Sequence, residues 1–188
     1  MKIYIVRHGQ SENNRRGLWT GWEDVPLTEN GIYEAKKVGE FLRGVKFDKV
    51  YTSDLGRAEK TAELAIPDCD FEPTPLLREI DVGSLANQPY AALSDEDRKL
   101  TVTHGYVNFG GETRLDFKAR VLQFKTNLEA LECENVAVFS HAGWLREFLY
   151  DIIEVRLVNK TLYCGNCAVG VFEYLGGAWR LHSWVNLD

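Results

Sequence analysis

The chain opens with the segment Lys2-Ile3-Tyr4-Ile5-Val6, a run rich in β-branched residues that is followed directly by Arg7-His8-Gly9. Similar short apolar runs occur at Lys49–Thr52 and Val136–Phe139. Each run is too short for a buried helix and is typical of a strand that is covered on both faces of a parallel sheet. The sequence therefore predicts three buried parallel strands, the first of which ends immediately before a polar segment.

Apolar residues at helical spacing lie between and after these strands. The predicted helices follow Thr28, Ser53, Gly110-Gly111 and Gly143. Thr28 and Ser53 are both suitable N-cap residues. Near the C-terminus, the alternating segments Ala168–Tyr174 and Trp179–Val185 predict a hairpin. Strands that alternate with helices predict an α/β fold, here a three-layer αβα sandwich with a mostly parallel central sheet.

The length of 188 residues fits a single domain, 1–188, in which the irregular segment 81–111 is a candidate cap. The 22 lysines and arginines against 28 acidic residues give a net charge of −6, the opposite of a typical nucleic-acid or anionic-membrane binder. The N-terminus lacks a signal peptide, and no apolar run reaches membrane-spanning length. We therefore expect a cytoplasmic monomer or homodimer that binds a small molecule rather than nucleic acid or a membrane.

Four cysteines are few for this length, and only Cys164 and Cys167 form a C-x-x-C pair. A structural zinc site needs two further ligands, and the sequence offers no second pair. We therefore interpret the pair as small buried residues and predict no metal site.

Polar residues follow each of the three predicted strands. Arg7 and His8 come directly after the first, Arg57 comes shortly after the second, and His141 comes after the third. Ligands of open α/β sheets bind beyond the carboxyl ends of the strands, so these side chains are expected to converge. Gly9 would let the backbone approach a ligand, and Arg57 lies in the first turn of a helix whose free N–H groups favour an anion. The pattern predicts a phosphate pocket that contains a nucleophile.

At this point the sequence resembles the histidine phosphatase superfamily, in its phosphoglycerate-mutase-like branch, across nearly the whole chain. Its motifs match in order, at Arg7–Asn14, Thr20–Thr28, Thr52–Ala62, Leu77–Gly83, Gly110–Thr113 and Ser140–Gly143. A departure follows Gly83, where Ser84-Leu85-Ala86-Asn87 replaces the aromatic, acidic and glycine residues that are frequent in phosphatases of this branch. That departure weakens any transfer of substrate specificity but leaves the chemistry intact.

The resemblance implies a role for each matched residue. His8 would attack phosphorus and become phosphohistidine, and Glu79 would be the proton donor and later the base for water. The implied phosphate and substrate ligands are Arg7, Asn14, Arg57, His141, Ser11, Thr20, Gly21 and Ala142. This scheme needs neither a metal nor another cofactor.

Some residues carry a competing structural interpretation. From spacing alone, Glu79 could equally pair with Arg78 or another arginine at the surface. Trp19, Trp22 and Trp144 flank the motifs and could form an apolar wall for a leaving group, but core packing is the preferred prediction for each.

Three functions fit these residues. The favoured one is a phosphomonoesterase that acts on a small metabolite. The first alternative is a 2,3-bisphosphoglycerate-dependent phosphoglycerate mutase, suggested by the Trp19–Trp22 segment. The stretch 80–111 offers only Arg98, Lys99 and His104 among acidic residues, too few cations to hold a second phosphate and a carboxylate. The second alternative is a non-catalytic phosphate-recognition module, which would need neither His8 nor Glu79.

Overall fold

The computed structural model describes residues 1–154 and 162–187, which form one mixed sheet flanked by helices. The strands are β1 (Lys2–Arg7), β2 (Lys49–Ser53), β3 (Glu72–Thr74), β4 (Asn135–Ser140), β5 (Val169–Leu175) and β6 (Ala178–Val185). The helices are α1 (Glu12–Arg16), α2 (Glu29–Phe41), α3 (Gly56–Ala65), α4 (Asp95–His104), α5 (Arg114–Glu129) and α6 (Ala142–Ile153). Among these residues, no helix combines the length and the apolar character needed to cross a membrane.

The sheet has the strand order β3-β2-β4-β1-β5-β6. The first four strands pair in parallel, and β5 and β6 add an antiparallel edge. The mostly parallel sheet and the C-terminal hairpin are thus confirmed. The sequence did not predict β3, which has three residues and contains Pro73. Proline lacks a backbone donor and fits only an edge strand, which is where β3 lies.

Side chains of β1 and β4 alternate between two apolar cores. Ile3 and Ile5 belong to the core that includes residues of α5 and α6. Val6 belongs to the second core, on the opposite face, together with residues of α2 and α3. Helices cover both faces of the sheet, so the predicted three-layer αβα sandwich is confirmed.

The helix starts agree with the sequence at Thr28 but not at Ser53. Thr28 caps α2 by accepting a hydrogen bond from the Gly31 N–H at 3.0 Å. Ser53 instead ends β2, and α3 begins at Gly56 with no side-chain cap from its own N-cap residue. The Gly56 N–H donates to Asp24 Oδ1 at 3.1 Å. A carboxylate of this chain thus occupies the helix N-terminus that was expected to attract the substrate's anion.

The segment 81–111 is more regular than the sequence indicated, because it contains α4 and three short 3₁₀ turns. Ser94 caps α4 by accepting from the Asp97 N–H at 3.1 Å. Three acidic residues fill the first turn, where the helix dipole favours negative charge. The acidic run therefore stabilises the start of a helix.

Candidate active site

A cavity of about 1050 Å³ lies near the carboxyl ends of β1, β2 and β4. The predicted site residues that line it are Arg7, His8, Asn14, Thr20, Gly21, Arg57, Glu79 and Ala142. Ser11 and His141 are fully buried and are not among the lining residues. The parallel strands thus bring together residues as far apart in sequence as Arg7 and Ala142.

His8 is 5% exposed, and a hydrogen bond to the next residue fixes its ring. Its Nδ1 lies 2.7 Å from the carbonyl oxygen of Gly9. A carbonyl only accepts, so Nδ1 carries the proton and Nε2 keeps a free lone pair. Burial, together with the charges of Arg57 and Arg7, holds the pKa of His8 well below its usual value. His8 is therefore neutral at physiological pH, as a nucleophile must be.

Gly9 serves packing rather than ligand approach. A Cβ at Gly9 would lie 2.4 Å from the carbonyl oxygen of Gly31. The missing side chain lets the segment after β1 lie directly against the start of α2. This contact gives Gly9 a structural role, and close approach of its backbone to a ligand stays a prediction.

Two arginines beside His8 are anchored by main-chain carbonyls. Arg57 is 2% exposed and donates to the carbonyls of Gly21 at 2.8 Å and Glu23 at 2.7 Å. Arg7 donates to the carbonyl of Cys164 at 2.6 Å. Burial lowers the pKa of Arg57 to about 10, so its guanidinium stays charged at neutral pH. Carbonyls fix both guanidinium groups without neutralising them.

Three buried nitrogens around His8 lack a hydrogen-bond partner within the part of the chain that the structure describes. They are Arg7 Nε, Arg57 Nε and His141 Nδ1. The His141 ring centroid lies 5.1 Å from that of His8, and its Nε2 lies 2.8 Å from Ser53 Oγ. Burial, with the charge of Arg57 next, holds the pKa of His141 well below its usual value. The two unpaired guanidinium N–H donors are costly to bury, and His141 Nδ1 is a third donor when its Nε2 accepts from the Ser53 hydroxyl. This cluster is therefore suited to receive an anion.

Asn14 and Ser11 are coupled through the N-terminus of α1. Ser11 caps α1 by accepting from the Asn14 N–H at 3.3 Å, which gives Ser11 a structural contact. Asn14 Oδ1 accepts from the Ser11 N–H at 3.2 Å and from Asn166 Nδ2 at 3.0 Å. No group in the described part of the chain accepts from the Asn14 amide nitrogen, so it is available to donate to a ligand. Sequence reasoning missed Asn166, which also donates to the carbonyl of His8 at 3.3 Å.

Glu79 lines the cavity, and two backbone N–H groups hold its carboxylate. Its Oε1 accepts from Ile80 at 2.9 Å and its Oε2 accepts from Gly143 at 2.9 Å. The competing interpretation, an ion pair with Arg78, is wrong, because Arg78 makes two 2.7 Å bonds to Asp54. Glu79 therefore keeps its carboxylate in the cavity that Arg7, His8 and Arg57 also line.

The three tryptophans differ in environment. Trp144 is fully buried in the core, as predicted. Trp22 is 39% exposed and stacks over the Arg78 guanidinium at 4.7 Å, so core packing was the wrong prediction for it. Trp19 is half-buried and lines the cavity, with its ring centroid 4.9 Å from that of Tyr90.

Three arginines that the site prediction did not include line the cavity. Arg98 belongs to α4. Arg114 is the first residue of α5, and Arg146 lies one turn into α6. Arg114 pairs with the buried carboxylate of Glu147 at 2.8 Å. Spacing could have revealed Arg146, because it stands four residues after Ala142 and so shares its helix face.

The segment that contains Cys164 and Cys167 contacts the end of β1. Both cysteines are free, buried thiols whose pKa values are raised by burial. The Cys167 N–H donates to the carbonyl of His8 at 3.3 Å. In residues 1–154 and 162–187, no cluster of three potential metal ligands occurs.

Known proteins resemble this chain over most of its length. The family model of the histidine phosphatase superfamily, branch 1, matches residues 3–187. An adenosylcobalamin/alpha-ribazole phosphatase of Salmonella typhimurium is 35% identical over 153 residues, 77% of this chain and 76% of that protein. A 2,3-bisphosphoglycerate-dependent phosphoglycerate mutase of Xanthobacter autotrophicus is 34% identical over 166 residues, 80% of each chain. The alpha-ribazole phosphatase of Shigella flexneri superposes with a TM-score of 0.88 at 25% identity, covering 100% of this chain and 97% of the other. The chain therefore belongs to the histidine phosphatase superfamily, branch 1.

Proposed function

We propose that the protein is a phosphomonoesterase that hydrolyses a small organic phosphate through a phosphohistidine on His8. One observation carries the proposal, namely the neutral, buried His8 with a free Nε2 beside the unpaired nitrogens of Arg7, Arg57 and His141. Phosphoryl transfer needs an in-line nucleophile and fixed positive charge around the equatorial oxygens. Both are in place before a substrate binds.

The first step transfers the phosphoryl group to the enzyme. The His8 Nε2 lone pair attacks phosphorus, and the bond between phosphorus and the leaving oxygen breaks. Protonated Glu79 gives its proton to the leaving alkoxide. The products are the free alcohol, phosphohistidine and ionised Glu79.

The second step releases inorganic phosphate. Ionised Glu79 takes a proton from water as the water oxygen attacks phosphorus. The bond between phosphorus and Nε2 breaks, and its electron pair returns to His8. Glu79 is again protonated and His8 is again neutral, so the cycle closes without another reactant.

The other residues that line the cavity indicate the class of leaving group. Trp19, Tyr90 and Tyr106 form an aromatic wall there, with Trp19 and Tyr106 centroids 5.7 Å apart. Arg98 donates to the carbonyl of Tyr90, and Arg146 also lines the cavity. Neither arginine has a carboxylate partner within residues 1–154 and 162–187. These groups favour an organic leaving group with an apolar body and an anionic substituent.

A mutase remains the second candidate, because a relative of similar identity carries that name. A mutase must retain a bisphosphate while shielding phosphohistidine from water. Beyond the His8 cluster, Glu147 neutralises Arg114, which leaves Arg98 and Arg146 to balance a second phosphate and a carboxylate. That charge is too small, so we expect water to intercept phosphohistidine.

The test is to assay a panel of phosphomonoesters and to map acid-labile phosphate on quenched enzyme. We expect labelled phosphate on the peptide that contains His8, and turnover reduced by several orders of magnitude in a folded His8→Ala variant. A phosphorylated side chain elsewhere would contradict the mechanism. Tight binding of phosphate esters without turnover would identify a recognition module instead.

The mutase is tested separately with 3-phosphoglycerate and catalytic 2,3-bisphosphoglycerate. The two products to follow are 2-phosphoglycerate and free phosphate. We expect phosphate release to dominate. Isomer formation that far outpaces phosphate release would establish the mutase.

A further inference from the structure

Arg120, on α5, holds the main chain that carries Glu79. One terminal nitrogen donates to the carbonyls of Arg78 at 2.7 Å and Leu76 at 3.2 Å, and the other donates to the carbonyl of Glu79 at 2.8 Å. The side chain is 14% exposed and also stacks over the Phe117 ring at 4.9 Å. Three carbonyls within four residues thus converge on one buried guanidinium.

Glu112 fixes the same guanidinium from the other side. Its two oxygens accept from Arg120 Nε at 2.8 Å and from the second terminal nitrogen at 2.9 Å. One of these oxygens also accepts from the Asp81 N–H at 3.3 Å, and the Glu112 N–H donates to the Asp81 carbonyl at 3.0 Å. The ion pair therefore contacts the chain both before and after Glu79.

A third contact comes from a distant part of the chain. The indole nitrogen of Trp22 donates to the carbonyl of Glu79 at 2.7 Å, so that carbonyl accepts from both Trp22 and Arg120. The residues from Arg78 to Val82 belong to neither a helix nor a strand. Without these donors, no regular structure would hold the Glu79 backbone in place.

We propose that Arg120 and Glu112 are positioning residues, which place the Glu79 carboxylate for proton transfer without touching the substrate. The inference rests on the function proposed for Glu79. A proton donor must lie within hydrogen-bond reach of the leaving oxygen, and a misplacement of about 1 Å can cost roughly 10²-fold in rate. The Arg120–Glu112 ion pair and the Trp22 indole hold the main chain of Glu79 with that precision.

The test compares two substrates that differ in their need for an acid. An alkyl phosphate requires protonation of its leaving alkoxide, whereas p-nitrophenolate leaves without it. The ratio kcat/KM covers the steps up to phosphohistidine formation, so it reports this requirement apart from the later water step. Glu79→Gln is the reference, and we expect a roughly 10²- to 10⁴-fold loss on the alkyl phosphate but a small loss on p-nitrophenyl phosphate.

Arg120→Lys and Glu112→Gln should reproduce that selective pattern at smaller size. Lysine cannot match the planar fork that contacts three carbonyls and a carboxylate. We expect kcat/KM to fall by roughly 10- to 10²-fold for the alkyl phosphate and to change little for p-nitrophenyl phosphate. Trp22→Phe keeps the exposed ring over Arg78 and removes only the N–H donor, so it gives a folded variant with a smaller loss of the same kind.

The matched control is Lys125→Ala on the same helix, which removes the 2.7 Å ion pair with Asp151 far from Glu79. It should leave the ratio between the two substrates unchanged. Equal losses on both substrates in the Arg120, Glu112 and Trp22 variants, or no loss in folded protein, would overturn the positioning role. If Glu79→Gln itself lacked the selective loss, the proposed function would fail first, so the two failures are distinguishable.

Discussion

At the residue scale, the cationic donors decide what the site does. Arg57 is the most constrained of them, since it is buried, charged and held by two carbonyls. Next to the two histidines, its Nε has no hydrogen-bond partner among residues 1–154 and 162–187. The Arg57 guanidinium is therefore held in position before any negative charge of a substrate reaches the site.

Arg57→Ala should reduce kcat/KM by roughly 10²- to 10³-fold, the usual result of removing one fixed donor that stabilises developing charge. It also leaves two carbonyls without a donor, which should lower the free energy of unfolding by about 1–3 kcal/mol. Kinetics and urea unfolding measure the two effects. Arg15→Ala is the control, because Arg15 makes only an exposed ion pair with Glu12. A rate loss below tenfold in folded Arg57→Ala would contradict the assignment.

At the element scale, the start of α6 shows how secondary structure places a side chain. The Gly143 N–H donates to Glu79, and a Cβ at Gly143 would lie 2.1 Å from Glu79 Oε1. The helix terminus thus provides both a donor and the space for the carboxylate. The family motif around His141 therefore includes a position that serves Glu79 rather than phosphate.

Gly143→Ala should separate activity from stability. Alanine suits a helix better than glycine, and this gain offsets the loss of the hydrogen bond from the residue 143 N–H to Glu79, so the free energy of unfolding should change by no more than about 1 kcal/mol. The flexible Glu79 side chain must move away from the new methyl group, so activity on an alkyl phosphate should fall by at least tenfold. Thermal unfolding and kcat/KM check both parts. Full activity in the variant would show that Glu79 is not needed where the structure places it.

The sequence predicted elements with regular apolar spacing and misjudged those set by contacts distant in sequence. The helix α5 buries one face, as the apolar spacing indicated, and that face carries Phe117, Val121, Phe124 and Leu128. Ser53 is a residue type that favours N-caps, but its pairing with Thr74 of β3 and its contact with His141 keep it in the strand β2. The strand β3 is too short and too polar to leave a periodic signal.

For the site, motifs identified the residues that contact the cavity but not those that support them. Asn166 bonds to Asn14 across 152 positions, and Trp22 bonds to the Glu79 carbonyl across 57. Arg120 has no motif of its own and lies on the face of a helix. Such partners are defined only by the folded chain, so no local pattern could reveal them.

At the scale of the whole molecule, two buried neutral histidines couple the site to stability. His8 and His141 both have pKa values held well below 6.5 in the folded state. Above pH 6.5 they are neutral in both folded and unfolded chains and contribute nothing to the pH dependence. Below pH 6.5 these two imidazoles bind protons in the unfolded chain but stay neutral in the folded chain. The free energy of unfolding therefore decreases as the pH falls toward the folded pKa values.

Between pH 6.5 and the folded pKa values, the free energy of unfolding should fall by up to about 1.4 kcal/mol per pH unit for each histidine. Urea unfolding at several pH values measures this slope. A His8→Asn, His141→Asn double variant should lose most of it, whereas a variant of the exposed His104 should keep it. An unchanged slope in the double variant would show that other groups cause the acid sensitivity.

The acceptors that hold Arg7 and Arg57 in the cavity are main-chain oxygens, at Gly21, Glu23 and Cys164. Every amino acid supplies a carbonyl, so the identities of Glu23 and Cys164 are free to drift during evolution while the guanidinium geometry persists. Had carboxylates held these arginines, each would have been locked to one partner residue, and a single exchange would have broken the pair. The surroundings of this cavity can therefore diverge to suit new substrates without disturbing the positions of the two guanidinium groups.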